Sequence, residues 1–220
     1  MFRLRASYTM SDFALTHRET NQISERLAYK ITQLLKFSLN IFYGKKYAKR
    51  AVILETIAAV PGMVAGMFNH LKALRRMKDD EGWIKELLSE ADNERMHLMI
   101  FLDIAKPSWI ERGLVLLGQA VFICVYSIIY LCSSKIAHRV VGYFEEEACK
   151  SYTEFLEKID SGELENVSAP DIAIKYYQLQ DDARLRDVVL RIREDEAKHR
   201  DRNHNFADCY QNKDLPAHQA

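Results

Sequence analysis

Two Glu-x-x-His pairs, Glu94–His97 and Glu196–His199, constrain this chain more than anything else in it. Three residues apart on a helix, the two side chains of each pair project from one face and can grip the same ion. Two further glutamates, Glu55 and Glu145, stand in other helical runs. The order Glu, Glu-x-x-His, Glu, Glu-x-x-His is the ligand pattern of a carboxylate-bridged di-iron or di-manganese four-helix bundle, with one contribution from each helix.

The rest of the chain agrees with an all-α fold. It holds only 8 Gly and 4 Pro in 220 residues, apolar residues recur at helical spacing, and period-two alternation is almost absent, so we expect no substantial sheet. No shift in composition divides the chain, and one domain is expected over residues 24–210. It would be preceded by a flexible arm or presequence remnant (1–23) and followed by a disordered tail (211–220). The 31 basic and 31 acidic side chains balance, which removes any bulk electrostatic case for nucleic acid. The cysteines, Cys124, Cys132, Cys149 and Cys209, form no C-x-x-C pair, and free thiols in a reducing compartment are expected.

Two segments look suited to a membrane surface. From Ser24 to Tyr43, Leu27, Ile31, Leu34, Leu35, Leu39, Ile41 and Phe42 make an apolar stripe, followed at once by Lys45, Lys46, Lys49 and Arg50; an interfacial helix and an ordinary packing helix both fit this pattern. Leu114 to Cys132 carries no formal charge and approaches the ~20 residues needed to cross a bilayer. A single crossing there would put the two halves of the ligand set on opposite sides, so the segment is read as a crossover helix able to rest in lipid. Between these segments, Pro61 should kink the helix carrying Glu55. Gly62, Gly66, Ala58, Ala59 and Ala65 give that helix a small-residue face suited to a dimer seam.

Carboxylates aimed into apolar helices are costly unless paired or bound to a cation. Val52-Ile53-Leu54 precedes Glu55, and Val140 to Phe144 precedes Glu145. Four carboxylates and two imidazoles suit iron or manganese, whereas structural zinc favours thiolates, and we read the set as holding two iron ions. Asn93 and Asp195, each just before a ligand glutamate, are expected to engage the outer nitrogens of the histidines. His138 and Tyr152, seven residues either side of Glu145, share its face.

Several phrases together resemble the alternative oxidases: Leu54-Glu55-Thr56 with Ala58 through Met63, Asn93 through Leu98, Gly142 through Ala148, and Arg186 through Val189 leading to Asp195-Glu196 and His199-Arg200-Asp201. The likeness runs from about Arg50 to Asp208. It implies a ferritin-like di-iron four-helix bundle with two additional membrane-interface helices, acting as a cyanide-insensitive ubiquinol oxidase that reduces O2 to water without pumping protons. It places the iron ligands on Glu55, Glu94, His97, Glu145, Glu196 and His199, which singles out Glu145 from Glu146 and Glu147. It makes Tyr152 the tyrosine needed for activity and assigns Arg50, Leu54, Phe144, Glu147, Ala148 and Ser151 to quinol binding. It also implies a homodimer with His70 at the interface, lying on one leaflet of the mitochondrial inner membrane, on its matrix side. Phe144 and Tyr177 depart from the usual Leu and Trp of the family. No cysteine precedes Cys124, so no thiol switch is expected. A plastid-type plastoquinol oxidase shares the ligand set. A soluble ferroxidase or iron-storage bundle shares the fold class, but would not need the apolar surfaces.

Overall fold

A computed structural model describes residues 15–43 and 46–212. Residues 1–14, Lys45 of the basic cluster and the tail 213–220 lie outside the described residues. Among the described residues seven helices follow one another: α1 Ile23–Tyr43, α2 Tyr47–Arg76, α3 Trp83–Ala105, α4 Trp109–Cys132, α5 Ser134–Asp160, α6 Asp171–Tyr177 and α7 Leu185–Asn212. The only extended pairing among the described residues is the isolated bridge Ser168–Arg184.

The core is built from two tight helix pairs, α2 with α3 and α5 with α7. Each is closed by a glycine at the crossing. A Cβ on Gly62 would run into the Leu87 carbonyl and come within 3.0 Å of the Ala91 Cβ, and a Cβ on Gly142 would overlap the His204 ring. The small-residue face of α2 therefore packs against α3 of the same chain, and the dimer seam expected there is corrected. Instead Met63, Met67, His70, Leu71 and Leu74 form the outward face of α2. α2 runs unbroken through Pro61, which removes one backbone donor inside the helix but does not end it.

α1 and α4 lie outside the four-helix core. α1 rests on α5, where Ala28 packs with Val140 and Tyr143 and the Thr32 hydroxyl donates to the Val140 carbonyl at 3.2 Å. Its Ile23, Leu27, Leu34 and Phe37 face outward. α4 starts on a capping box between Ser108 and Glu111, and Lys49 at the start of α2 binds the same Glu111 at 2.7 Å. By length and composition both α2 and α4 could cross a membrane, but 67% of the apolar window of α2 is buried in the bundle, against 12% for α4. Among the described side chains of α4 only Tyr126 and Tyr130 are buried, while Trp109, Ile110, Leu116, Leu117, Val121, Ile128 and Leu131 are exposed. Its cysteines, Cys124 and Cys132, are exposed for the same reason, whereas Cys149 and Cys209 are buried; all four are free.

The described part of the N-terminal arm is tied down. His17 Nδ1 lies 2.5 Å from Glu146 Oε2, the Arg18 amide donates to Glu146 Oε1 at 2.9 Å, and the Arg18 guanidinium pairs with Asp208 at 2.8 Å. A carboxylate as buried as Glu146 needs such donors, and His204 supplies another at 3.0 Å.

Candidate metal centre

The six acidic and imidazole side chains singled out by spacing all point into the gap between the two helix pairs. α2 and α3 bring Glu55, Glu94 and His97; α5 and α7 bring Glu145, Glu196 and His199, and none is more than 4% exposed. Donor atoms of Glu55, Glu94, His97 and Glu196 lie within 4.8 Å of one another. His97 Nδ1 is 3.3 Å from Glu55, 3.6 Å from Glu94 and 3.2 Å from Glu196. His199 Nδ1 lies 2.5 Å from Glu94 Oε1, without the alignment of a hydrogen bond. Glu145 completes the ring next to Glu196.

Electrostatics test whether a cation fits. Burial, and then the charge of Glu55, pushes the Glu94 carboxyl up to about 8. Burial, and then Glu94, raises Glu196 to about 7. Burial with Glu196 and Glu94 beside it drives Glu145 well above the usual carboxylate range. Burial opposes ionisation of Glu55 too, but the His97 bond outweighs it and brings that carboxyl down. Both oxygens of Glu94 and of Glu196, Oε2 of Glu145 and Nδ1 of His199 have no hydrogen-bond partner. Buried lone pairs of this kind are normally satisfied. Convergent, hard-to-intermediate and otherwise unpartnered donors are what a pair of divalent ions requires, so the residues fit a metal centre.

Around the cluster, the Tyr152 hydroxyl donates to Glu55 Oε1, and its ring stacks on Phe101 at 5.8 Å. Burial, then the nearby Glu55 charge, holds its phenol well above 10. Asp195 behaves as expected of a partner to His97, but only partly. The Tyr177 hydroxyl stands 2.9 Å from both His97 Nε2 and Asp195 Oδ2, whereas the direct His97–Asp195 distance is 3.5 Å. Asn93 does not reach a histidine. Its amide binds Asp195 at 3.3 Å and Tyr176 at 2.7 Å, so it steadies the partner and not the imidazole. His138 is further out, with its Nδ1 3.0 Å from Asn203 Oδ1 inside a box of Trp83, Tyr130, Phe206 and Tyr210.

Three residues near the centre were missed by sequence reasoning. Asn203 donates to the His199 carbonyl at 3.0 Å and to Glu90 Oε1 at 2.6 Å. Glu90 is 3% exposed and sits one turn before Glu94 on the same face; that four-residue spacing was the available signal. Tyr177 was visible only as a departure from the family pattern, because nothing local marks it as a neighbour of His97.

The residues assigned to a quinol site divide. Leu54 and Phe144 pack together beneath α1 with Leu35, Ile53, Ile57 and Ala58. Glu147 lies in the same region, held by Lys36 at 2.5 Å, Lys150 at 2.9 Å and Gln33 at 3.4 Å. Burial works against its ionisation, but the Lys36 and Lys150 ammonium groups bring its carboxyl below the ordinary value. Ala148 belongs instead to the cluster containing Tyr152 and Val52. Arg50 keeps a buried Nε without a partner, and Ser151 is buried one turn beyond Glu147.

Comparison with known proteins adds a separate line of observation. The family described as Alternative oxidase matches residues 6–208. The chain is 53% identical over 205 residues to "Ubiquinol oxidase 2, mitochondrial" of Nicotiana tabacum, an alignment covering 91% of this chain and 69% of that protein. It is 54% identical over 192 residues to "Ubiquinol oxidase, mitochondrial" of Batrachochytrium dendrobatidis, covering 87% and 61%. It is 52% identical over 194 residues to "Ubiquinol oxidase 1c, mitochondrial" of Arabidopsis thaliana, covering 88% and 59%. The chain thus spans about six tenths of the length of these relatives.

Proposed function

The chain belongs to the alternative oxidase family, and from that premise we propose that it is a ubiquinol:oxygen oxidoreductase of the mitochondrial inner membrane, lying on the matrix side of one leaflet as a homodimer. The observation that carries the reading is the buried convergence of Glu55, Glu94, His97, Glu145, Glu196 and His199 with lone pairs left unpaired. These six side chains would hold two iron ions. When bound, the irons supply the electron storage and dioxygen chemistry that carbon-based side chains lack.

The protein's own part is binding, orientation and proton handling. Quinol would dock beneath α1, between Leu54 and Phe144, with the Arg50 guanidinium near its head and the Glu147 carboxylate accepting a hydrogen bond from its hydroxyl. Lys36 and Lys150 hold that carboxylate ionised and in place. Tyr152 would pass a proton and an electron at the inner edge of the site, a role supported by its hydrogen bond to Glu55 on the ring of ligands. Complete reduction of O2 to water takes four electrons, hence two quinols, and no charge is moved across the membrane. The outward apolar residues of α1 and α4 favour a membrane surface over a soluble ferroxidase, which has no use for them.

The test is quinol-dependent O2 uptake by iron-loaded protein in liposomes, with cyanide present. Uptake at two quinols per O2 is expected. Iron-loaded protein that takes up O2 with ferrous ion and not with quinol would overturn the reading in favour of a ferroxidase.

A further inference from the structure

Tyr177, the last residue of α6, reaches across to the imidazole on α3. Its oxygen is 2.9 Å from His97 Nε2 and 2.9 Å from Asp195 Oδ2, and these two groups are themselves 3.5 Å apart, too far for a normal N–H···O bond. A phenol has one proton to give. Asp195 takes it, as an acceptor that Lys198 at 2.7 Å and Asn93 at 3.3 Å already hold in place. The phenol oxygen must then accept from His97, which makes Nε2 a protonated nitrogen; once Nδ1 gives up the proton it shares with Glu55, as a metal ligand must, its lone pair faces Glu55, Glu94 and Glu196. That orientation suits a metal ligand, since a bare lone pair facing three carboxylates is repelled unless a cation lies between.

We infer that Tyr177 is a positioning residue that stands between His97 and the charge of Asp195 and thereby raises the reduction potential of the metal centre. The inference rests on the reading of His97 as an iron ligand. A carboxylate bonded directly to the outer N–H of a ligand imidazole makes the inner nitrogen a stronger donor, favouring the more highly charged ion. Hydrogen bonds to ionised acceptors are about twice as strong as those to neutral ones. With the phenol in place His97 donates to a neutral oxygen, and the influence of Asp195 arrives through it, weakened. Removing the hydroxyl leaves an aromatic ring that still packs near His97, where the centroids are 6.4 Å apart. A shift of a few tenths of an ångström then gives His97 its direct bond to Asp195.

The experiment is a double-mutant cycle on the iron-loaded chain with Tyr177→Phe, Asp195→Asn and both together. It reads the Fe(III)/Fe(II) midpoint potential and the partition of ferric against ferrous iron into a competing chelator; circular dichroism verifies the fold. Tyr177→Phe is expected to hold ferric over ferrous iron about tenfold more strongly, lowering the potential by about 59 mV. Asp195→Asn is expected to move it the other way, and in that background the Tyr177→Phe effect should fall to less than half. A rise in potential in Tyr177→Phe, or equal shifts in both backgrounds as mere space-filling would give, overturns the role. Iron bound with an unchanged potential overturns it alone, whereas a wild-type chain that binds no iron overturns the ligand assignment and this role with it.

Discussion

Gly142 on α5 and His204 on α7 meet with no room for even a methyl group between them: a Cβ at position 142 would overlap the imidazole ring. The ring cannot simply swing away, because its Nδ1 lies 2.9 Å from the Arg139 guanidinium and its Nε2 3.0 Å from Glu146. Gly142→Ala must therefore spread α5 from α7 or break both bonds. Overpacking of this kind costs about 1–3 kcal/mol, and urea unfolding should show a loss in that range. Gly118→Ala is the control, since nothing lies within 4 Å of its Cβ. It should be neutral or gain up to ~1 kcal/mol of helix propensity. Equal losses in the two variants would remove the close crossing as the cause.

The metal should change the sign of a substitution in the cluster. Glu196, raised to about 7 by burial and by Glu94, is a liability to the metal-free fold and an asset to the loaded one. Glu196→Gln should leave the metal-free melting temperature unchanged or raise it. In the wild type, ferrous ion at a hundredfold excess over its dissociation constant should add ~2.7 kcal/mol, and in Glu196→Gln most of that gain should vanish. A variant that melts lower without metal and gains as much as the wild type with it would show that Glu196 is a structural acid.

His138 sets a pH limit on stability. Desolvation lowers its pKa to about 4, against the partial restoring effect of the Asn203 bond, while the unfolded chain titrates near 6.5. Between those values the unfolded state binds the proton and the folded state does not, so stability falls as pH drops from about 6.5 towards 4. The full contribution approaches ~3 kcal/mol. His138→Gln keeps a donor for Asn203 without the titration, and its unfolding free energy should decline less than that of the wild type between about pH 7 and pH 5. Parallel declines would contradict a neutral buried imidazole.

What was legible in the sequence follows from geometry that a single helix fixes. The spacing of Glu94 to His97 and of Glu196 to His199 determines that each pair shares a face, and the apolar residues before Glu55 and Glu145 determine that those faces are buried; the cluster follows from both. Contacts between elements were not legible. Nothing near Tyr177 in the chain announces His97, 80 residues away, and the tie of His17 to Glu146 spans 129 residues. The small face of α2 could be read as close packing, but whether the partner is α3 or a second chain depends on the length and direction of the Asp79–Gly82 turn. Periodicity puts Tyr152 on the same helix face as Glu145, yet its bond to Glu55 requires the α2–α5 approach that periodicity does not specify.

Tyr152 is the residue whose loss should separate binding from turnover. Its hydroxyl touches Glu55 while its ring is packed by Phe101, so Tyr152→Phe should keep the ring, the fold and the iron content. Loss of one proton-transfer group typically costs 10²–10⁴-fold, and quinol-dependent O2 uptake should fall by about 100-fold with little change in KM. Normal turnover in Tyr152→Phe would leave the phenol with only a hydrogen-bonding role.

The outward face of α4 should control membrane attachment without touching the centre. Leu116, Leu117, Val121 and Ile128 are exposed on a helix whose buried residues, Tyr126 and Tyr130, face the bundle, so a change on the outer side leaves the core packing alone. Burying one leucine in an apolar medium is worth about 1.5–3 kcal/mol, which is roughly a tenfold to hundredfold change in partitioning per side chain. Leu117→Glu replaces that gain with the cost of desolvating a charge. Co-sedimentation with phospholipid vesicles should therefore drop by at least about tenfold, while iron content and O2 uptake with a short-chain, water-soluble quinol stay near the wild-type level. If the variant sediments with vesicles as well as the wild type does, α4 is not the attachment surface, and the outward residues of α1, Leu27, Leu34 and Phe37, become the ones to substitute.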